Sequence, residues 1–193
     1  LISHDQGIEL CKKYAQQEGV PLDIALTTVE AESNFTNVMG DSGRAFGYGQ
    51  VWIKWHFARL IEAADALKIT LPSRVAPVTE AEELKYKPLV LGNDNLSMLM
   101  AIKTIKSFWS AYGNGGFDAF NVKYVGPNIS QAELSRRRTI RTKYTNSVPD
   151  TVNLSALATQ AQNQAASLGA DELVMYAAVG LAGMTVFSIL SKK

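Results

Sequence analysis

VEAESNFTNVMGDSGRAFGYGQV, running from Val29 to Val51, joins an apolar helical stripe to a glycine-rich loop through two carboxylates set two residues apart. On a helix over residues 23–33, Leu22 just before it lines up with Ala25, Leu26 and Val29 on one side, and the next position on that stripe is Glu32. Glu30 falls with Asp23 and Thr27 on the side expected to face water and reads as surface charge. Glu32 is the unusual one, a carboxyl group at the end of an apolar stripe beside a loop holding Gly40, Gly43, Gly47 and Gly49. Burial disfavours the ionised form, and a carboxylic acid still protonated near neutral pH can act as a general acid. The same stretch fits equally well a glutamate that anchors the following loop by hydrogen bonds.

Outward from this stretch the chain reads as mainly α. Ile8, Cys11, Tyr14 and Ala15 have helical spacing over residues 5–18, broken by Gly19-Val20-Pro21. A helix is expected over 53–67 and a short one over 79–86, inside a stretch with Pro72, Pro77 and Pro88. The clearest long helix is 95–112, where Leu96, Leu99, Ile102, Ile105 and Trp109 form one stripe. A short helix over 117–124 ends at Gly126-Pro127, and Ser130 with Glu133 resembles a capping box opening a helix that runs to about residue 146. The only strand pattern is a short hairpin within 39–49.

The 193 residues carry a formal net charge of +1, too balanced to imply nucleic-acid binding, and 47% hydrophobic residues, enough for a core. Arg136-Arg137-Arg138, with Arg141 and Lys143 nearby, reads as a solvated helix face rather than a contact for an anionic polymer. The single cysteine, Cys11, allows no intrachain disulfide and reads as a small core residue. His4 and His56 have no metal-ligand spacing, and no phosphate loop, zinc motif or Cys-His pairing is present, so neither metal nor cofactor is expected. Residues 1–6 have no basic or apolar leader pattern, so no secretory signal is expected there.

Three regions are expected: a helical domain over 1–150, a polar helical linker over 151–170 and a hydrophobic C-terminal helix over 171–193. Within the last, LVMYAAVGLAGMTVFSIL at 173–190 has no charge and is followed by Lys192-Lys193. As a helix it would rise ~27 Å, near the lower limit for a bilayer. It reads as a candidate membrane anchor, with a helix packed on protein or on another copy as the alternative.

The stretch from Glu32 to Val51 resembles the lysozyme-like lytic transglycosylase family. That family's pattern is Glu-Ser, an aromatic shortly after, then Ala-x-Gly-x-x-Gln and an aliphatic residue. Glu32, Ser33, Phe35, Ala45, Gly47, Gln50 and Val51 match it in register without a gap. Tyr48-Gly49 stand where the family has Leu-Met. Asn95-Leu96 resembles the family's Asn-Ile step, and Tyr124, before Gly126-Pro127, matches its tyrosine without the following asparagine; Phe120-Asn121 is the other alignment.

The resemblance covers residues 10–146 and implies a lysozyme-like fold acting on peptidoglycan glycan strands with one catalytic acid, Glu32. Ser33, Gln50 and the backbone at Gly47 would bind the acetamido groups. Tyr48 would stack on sugar, Tyr124 would hold Glu32 by a hydrogen bond, and Asn95 would join the substrate-binding set. Trp52 and Trp55 are, like Tyr48, candidates for sugar stacking, residues of a kind more often core than cleft. Hydrolysis of the goose-type lysozyme kind would need a second carboxylate about 6.5–9.5 Å away, for which Asp41 is the candidate. A non-catalytic module keeping the fold is a further alternative. With a wall substrate, a C-terminal anchor and no leader, the expected setting is a bacteriophage virion protein acting in the host periplasm during DNA ejection, with other virion proteins as partners. A bacterial secretion-system transglycosylase is the alternative.

Overall fold

Ser3 and Gln6 open the first helix by capping each other: the Gln6 N–H donates to Ser3 Oγ at 3.2 Å and the Ser3 N–H to Gln6 Oε1 at 2.8 Å. Helix α1 (His4–Glu18) ends at Gly19, whose φ of 70° supplies the left-handed turn. The computed structural model describes residues 2–145, and the expectations for the linker at 151–170 and the hydrophobic segment at 171–193 fall outside the described residues. Among the described residues no helix is long and apolar enough to cross a membrane.

Helix α2 (Leu22–Ser33) follows Pro21 and buries every residue from Ile24 to Val29. The expected one-sided stripe is therefore too narrow: α2 is covered by α1 and by two later helices. It stops at Asn34 and Phe35, both with positive φ (49° and 54°), so the chain turns sharply just after Glu32. Strands β1 (Met39–Gly40) and β2 (Ala45–Phe46) form the expected hairpin, with Met39 opposite Phe46.

Helix α3 (Ile53–Ala66) packs on α6 (Asp94–Tyr112), which is buried along its first two-thirds from Leu96 to Ile105. Trp52 gives α3 no side-chain cap. The carboxylate of Glu83, buried at the end of α4 (Glu80–Glu83), does so from a distance, accepting the Lys54 N–H at 2.6 Å. Helix α5 (Lys87–Leu91) was not legible because Pro88 reads as a breaker; it sits in the first turn, where its missing N–H has no partner to lose. Helix α7 (Gly116–Val125) follows the Gly113–Gly115 turn, and α8 (Gln131–Thr145) starts where Ser130 Oγ accepts the Glu133 N–H at 3.1 Å. The described residues are thus mainly α, with one two-stranded hairpin.

Helix α8 corrects two readings of charge. Arg137 is buried and Arg141 partly covered, while Arg136, Arg138 and Lys143 stay about half exposed, and all but Arg138, which pairs with Asp118 of α7, reach α2. Arg141 pairs with Asp23 at 2.6 Å, and Lys143 and the Tyr144 hydroxyl both donate to Glu30. Arg136 donates to the Ala31 carbonyl at 2.9 Å, near the C-terminal end of α2. Glu30, expected on an open face, has a side chain only 15% exposed because α8 lies over it.

Replacing Glu83 by Ala should lower the unfolding free energy by about 2 kcal/mol, the size of a lost cap plus a buried charge-assisted hydrogen bond. Urea titration followed by far-UV dichroism checks this; an unchanged midpoint would mean that water caps α3 as well as Glu83 does.

Candidate active site

Beyond Glu32 the chain makes a loop whose shape is fixed by backbone and polar side chains. Phe46 and Val51 exchange backbone hydrogen bonds at 3.1 and 3.0 Å, closing the turn that carries Gly47 to Gln50. Ser33 Oγ donates to the Tyr48 carbonyl at 2.8 Å, and the Tyr48 N–H donates to Ser97 Oγ at 3.2 Å. Ser97 in turn donates to Asn37 Oδ1 at 2.9 Å, and Asn37 Nδ2 reaches the Val90 carbonyl at 3.1 Å and Asp94 Oδ1 at 3.2 Å. This buried network ties the loop to the ends of α5 and α6. Gly47, at φ 74°, has no room for a side chain: a Cβ there would lie 2.1 Å from Ser97 Oγ.

The loop forms one wall of a cleft of about 300 Å³. Glu32 lies in it with Gln50, and the first turn of α3 adds Trp52, Trp55 and His56. Phe108 from α6 and Lys123, Tyr124 and Gly126 from the α7 region complete the far side. Glu32 is the only carboxylate among these lining residues. A wider, open depression of about 650 Å³ lies between the starts of α1 and α6. The smaller cleft is the candidate site, because it combines a largely buried acid with aromatic walls.

The acid is held from behind. Arg137 of α8, 3% exposed, donates from Nη2 to Glu32 Oε1 at 2.6 Å. Its Nε donates to Glu133 at 2.8 Å and its Nη1 to Asn121 Oδ1 at 3.3 Å. Asn121 is buried and anchors itself to the Phe117 carbonyl at 2.7 Å. Two effects oppose each other at Glu32, whose side chain is 16% exposed. Burial raises its proton affinity and is the larger effect, while the Arg137 charge and hydrogen bond lower it; Glu133 adds to the rise and Arg136 to the fall. The balance leaves the carboxyl above its ordinary range. Tyr124 is held in its neutral form, first by burial and then by the nearby Glu32 charge. His56 is pushed toward its neutral form by burial and by Arg59; its ring packs on Phe108 with centroids 5.6 Å apart.

Of the residues singled out from sequence, the cleft brings together Glu32, Gln50 and Tyr124, while Ser33, Gly47, Tyr48 and Asn95 lie outside its lining. Ser33 spends its hydroxyl on the Val29 and Tyr48 carbonyls. Tyr48, expected to stack on sugar, is 1% exposed and donates to Asp94 Oδ1 at 2.8 Å, so it is a core residue. Asn95 lines the other depression and accepts from the Tyr14 hydroxyl at 2.8 Å. Gln50 reaches the cleft, yet its Nε2 is tied to the Gly47 and Val38 carbonyls at 2.9 and 3.2 Å. The Tyr124 hydroxyl donates to the Gly49 carbonyl at 3.0 Å and not to Glu32. Asp41 sits in the hairpin turn and is not among the cleft residues.

The aromatic assignments exchange places. Trp55, expected in the core, is 69% exposed on the cleft rim, with the Lys54 ammonium 4.8 Å from its ring. Trp52 lines the cleft beneath Arg44, at 5.7 Å. Position relative to the loop decides this: Trp52 and Trp55 follow the turn and open α3, whose backbone leaves helical geometry at His56 (φ −121°, ψ 25°). Arg137 and Asn121 were missed as site residues. Arg137 was hidden inside a run of like charges, and its partner stands 105 positions earlier in the chain.

Among the described residues no group of three or more His, Cys, Asp or Glu side chains is arranged to hold a metal ion. Comparisons with protein-family models, with curated proteins and with solved structures find no match.

Gly49 explains one departure from the resembled motif: a Cβ there would lie 2.8 Å from Ala101 Cβ and 3.0 Å from the Tyr124 hydroxyl. Gly49→Ala should therefore destabilise the protein by about 1–3 kcal/mol through overpacking. Thermal unfolding of the variant checks this, and an unchanged midpoint would show that the loop and Tyr124 yield freely.

Proposed function

We propose that this protein is a peptidoglycan lytic transglycosylase with a lysozyme-like fold, cleaving the β-1,4 bond between N-acetylmuramic acid and N-acetylglucosamine. The observation that carries the reading is a lone, largely buried carboxyl group, Glu32, in a cleft walled by Trp52, Trp55 and Tyr124. Glycosidases of the usual kind place two carboxylates across the scissile bond. A site with one acid fits a reaction in which the sugar supplies the second group.

In this scheme protonated Glu32 donates its proton to the bridging oxygen as the bond to C1 of the muramic residue breaks. The carbonyl oxygen of that sugar's own 2-acetamido group closes on C1 and carries the developing positive charge. Glu32, now a carboxylate, takes the proton of the muramic C6 hydroxyl. O6 then displaces the acetamido oxygen at C1, giving a 1,6-anhydro ring, with Glu32 protonated as at the start. No water is consumed. The hydrolytic alternative has less support, since Asp41 lies outside the cleft lining. A phage virion protein opening the wall locally during genome delivery, anchored by the apolar segment at 173–190, is the setting we favour; the sequence of that segment supports it.

A second reading rests on the Arg137 pair. A glutamate bonded to a buried guanidinium at 2.6 Å is also what a purely architectural residue looks like, and a non-catalytic wall-associated module follows from it. Digestion of purified peptidoglycan separates the two. The proposal expects anhydro-muropeptides from the wild-type protein and at least a 100-fold loss with Glu32→Gln. Reducing ends that take up oxygen from labelled water would replace transglycosylation by hydrolysis. Equal release by wild type and variant would leave Glu32 as architecture.

A further inference from the structure

The two oxygens of Glu32 are not equivalent. Oε1 accepts from Arg137 at 2.6 Å, and among the described residues no hydrogen bond is made to Oε2. Among the described residues the one buried side-chain polar atom without a partner is Thr27 Oγ1. Oε2 is therefore not sealed in protein, and the residue that carries it lines the cleft.

Arg137 is well fixed for the task of separating them. Its guanidinium is planar and offers donors in a rigid fork. Here that fork has three separate acceptors: Glu32 from α2, Asn121 from α7 and Glu133 from α8 itself. Glu133 is held in turn by Arg136, which reaches it at 2.7 Å. A guanidinium cannot lose its proton at accessible pH, so Oε1 always faces a donor and serves best as the carbonyl-type acceptor. A proton on this carboxyl group is therefore favoured on Oε2, which has no such donor in front of it.

We propose that Arg137 is a positioning residue for Glu32, its buried fork fixing Oε1 so that the exchangeable proton is carried on Oε2 into the cleft. The inference rests on the reading of Glu32 as the proton donor for its purpose, but its physical content is independent of turnover. The charged and titratable groups around Glu32 are Arg137, Glu133 and Arg136 on α8 and Tyr124 on α7, with His56 and Lys123 elsewhere on the cleft wall. Arg137 and Glu133 act on Glu32 in opposite directions, which gives the idea two independent handles.

The test is the titration of Glu32 itself, followed by NMR of carboxyl carbons in the glutamate-labelled protein, with Glu32→Gln assigning the signal. Arg137→Gln removes the positive charge and should move the Glu32 midpoint upward by about one pH unit or more. Glu133→Gln removes a negative charge from a surface-accessible position and should move it downward. The second variant keeps the test decisive if the first does not fold. A midpoint that stays put, or moves with the opposite sign in either folded variant, overturns the proposal. Peptidoglycan digestion by the same samples is read separately. If the wild-type protein releases no fragments, the transglycosylase reading fails while the titration still judges the role of Arg137. If it is active, the alkaline limb of its pH profile should follow the Glu32 midpoint in each variant.

Discussion

A guanidinium buried in a protein must find partners for its nitrogens or the fold loses several kcal/mol, and Arg137, with one acceptor at each of its three nitrogens, is the group on which this structure turns. It sits where α2, α7 and α8 meet, and each of the three helices gives it one acceptor. Satisfying it fixes how far α8 can slide along α2. The outer pairs Asp23–Arg141 and Glu30–Lys143 then fall into place as partly exposed contacts worth much less each. The same constraint closes one side of Glu32, and the residue lines the cleft bounded by the 46–51 turn, the start of α3 and α7. The acid is exposed on one side because a cation is buried on the other.

The motif that opens the chain's interpretation proves to be mostly about shape. Ser33 holds the Tyr48 carbonyl, Gly47 leaves room for Ser97, Phe35 is buried against Gly7, and Gln50 ties back to Gly47 and Val38. Each of these residues constrains the loop, and of the four only Gln50 reaches the cleft. Seven residue types in register therefore describe how a loop is folded onto the end of α2 so that Glu32 meets a groove. The resemblance bears on chemistry only through the one residue that the loop is built around. It follows that a chain can share such a pattern and still need its own wall of aromatics and its own counter-charge to make a reactive site.

Local signals in the sequence were enough for the hairpin and for every helix but α5, because 3.6-residue periodicity, the Ser130 cap and the glycine stops are all written in adjacent residues. Glu32 was legible for the same reason, as a break in an apolar stripe. What could not be read were facts about which faces are covered. Helix α8 buries Leu134, Arg137 and Ile140, so one-third of its buried face is a charged residue that scores as solvent-facing on any hydropathy argument. Glu30 looked exposed because its cover comes from residues 143 and 144. Tyr48 and Trp55 are both large aromatics flanking the same loop, and nothing in their immediate neighbours says that one enters the core and the other stands at 69% exposure. Phe120-Asn121 and Tyr124 seemed rival alignments for one motif position, yet both are used: Tyr124 against Gly49 in the cleft wall, Asn121 behind the wall holding Arg137.

On the proposed reaction, one group must be an acid first and a base second, and the surroundings of Glu32 supply a force toward each form. Burial alone would raise the proton affinity and make the carboxyl group a weaker acid. A paired cation alone would leave it ionised from the start. With both present the outcome depends on water at Oε2. An empty cleft lets water solvate the ionised form. A glycan filling the cleft removes that water while leaving Arg137 in place, which pushes the group toward its protonated form at the moment an acid is required. Once the proton has gone, the carboxylate still has the guanidinium at 2.6 Å as its counter-ion, so the base form is stabilised without any rearrangement of the protein. On this proposal, a single acid with a fixed cation behind it and a cleft in front would change roles with substrate occupancy, which a pair of carboxylates achieves by dividing the roles between them.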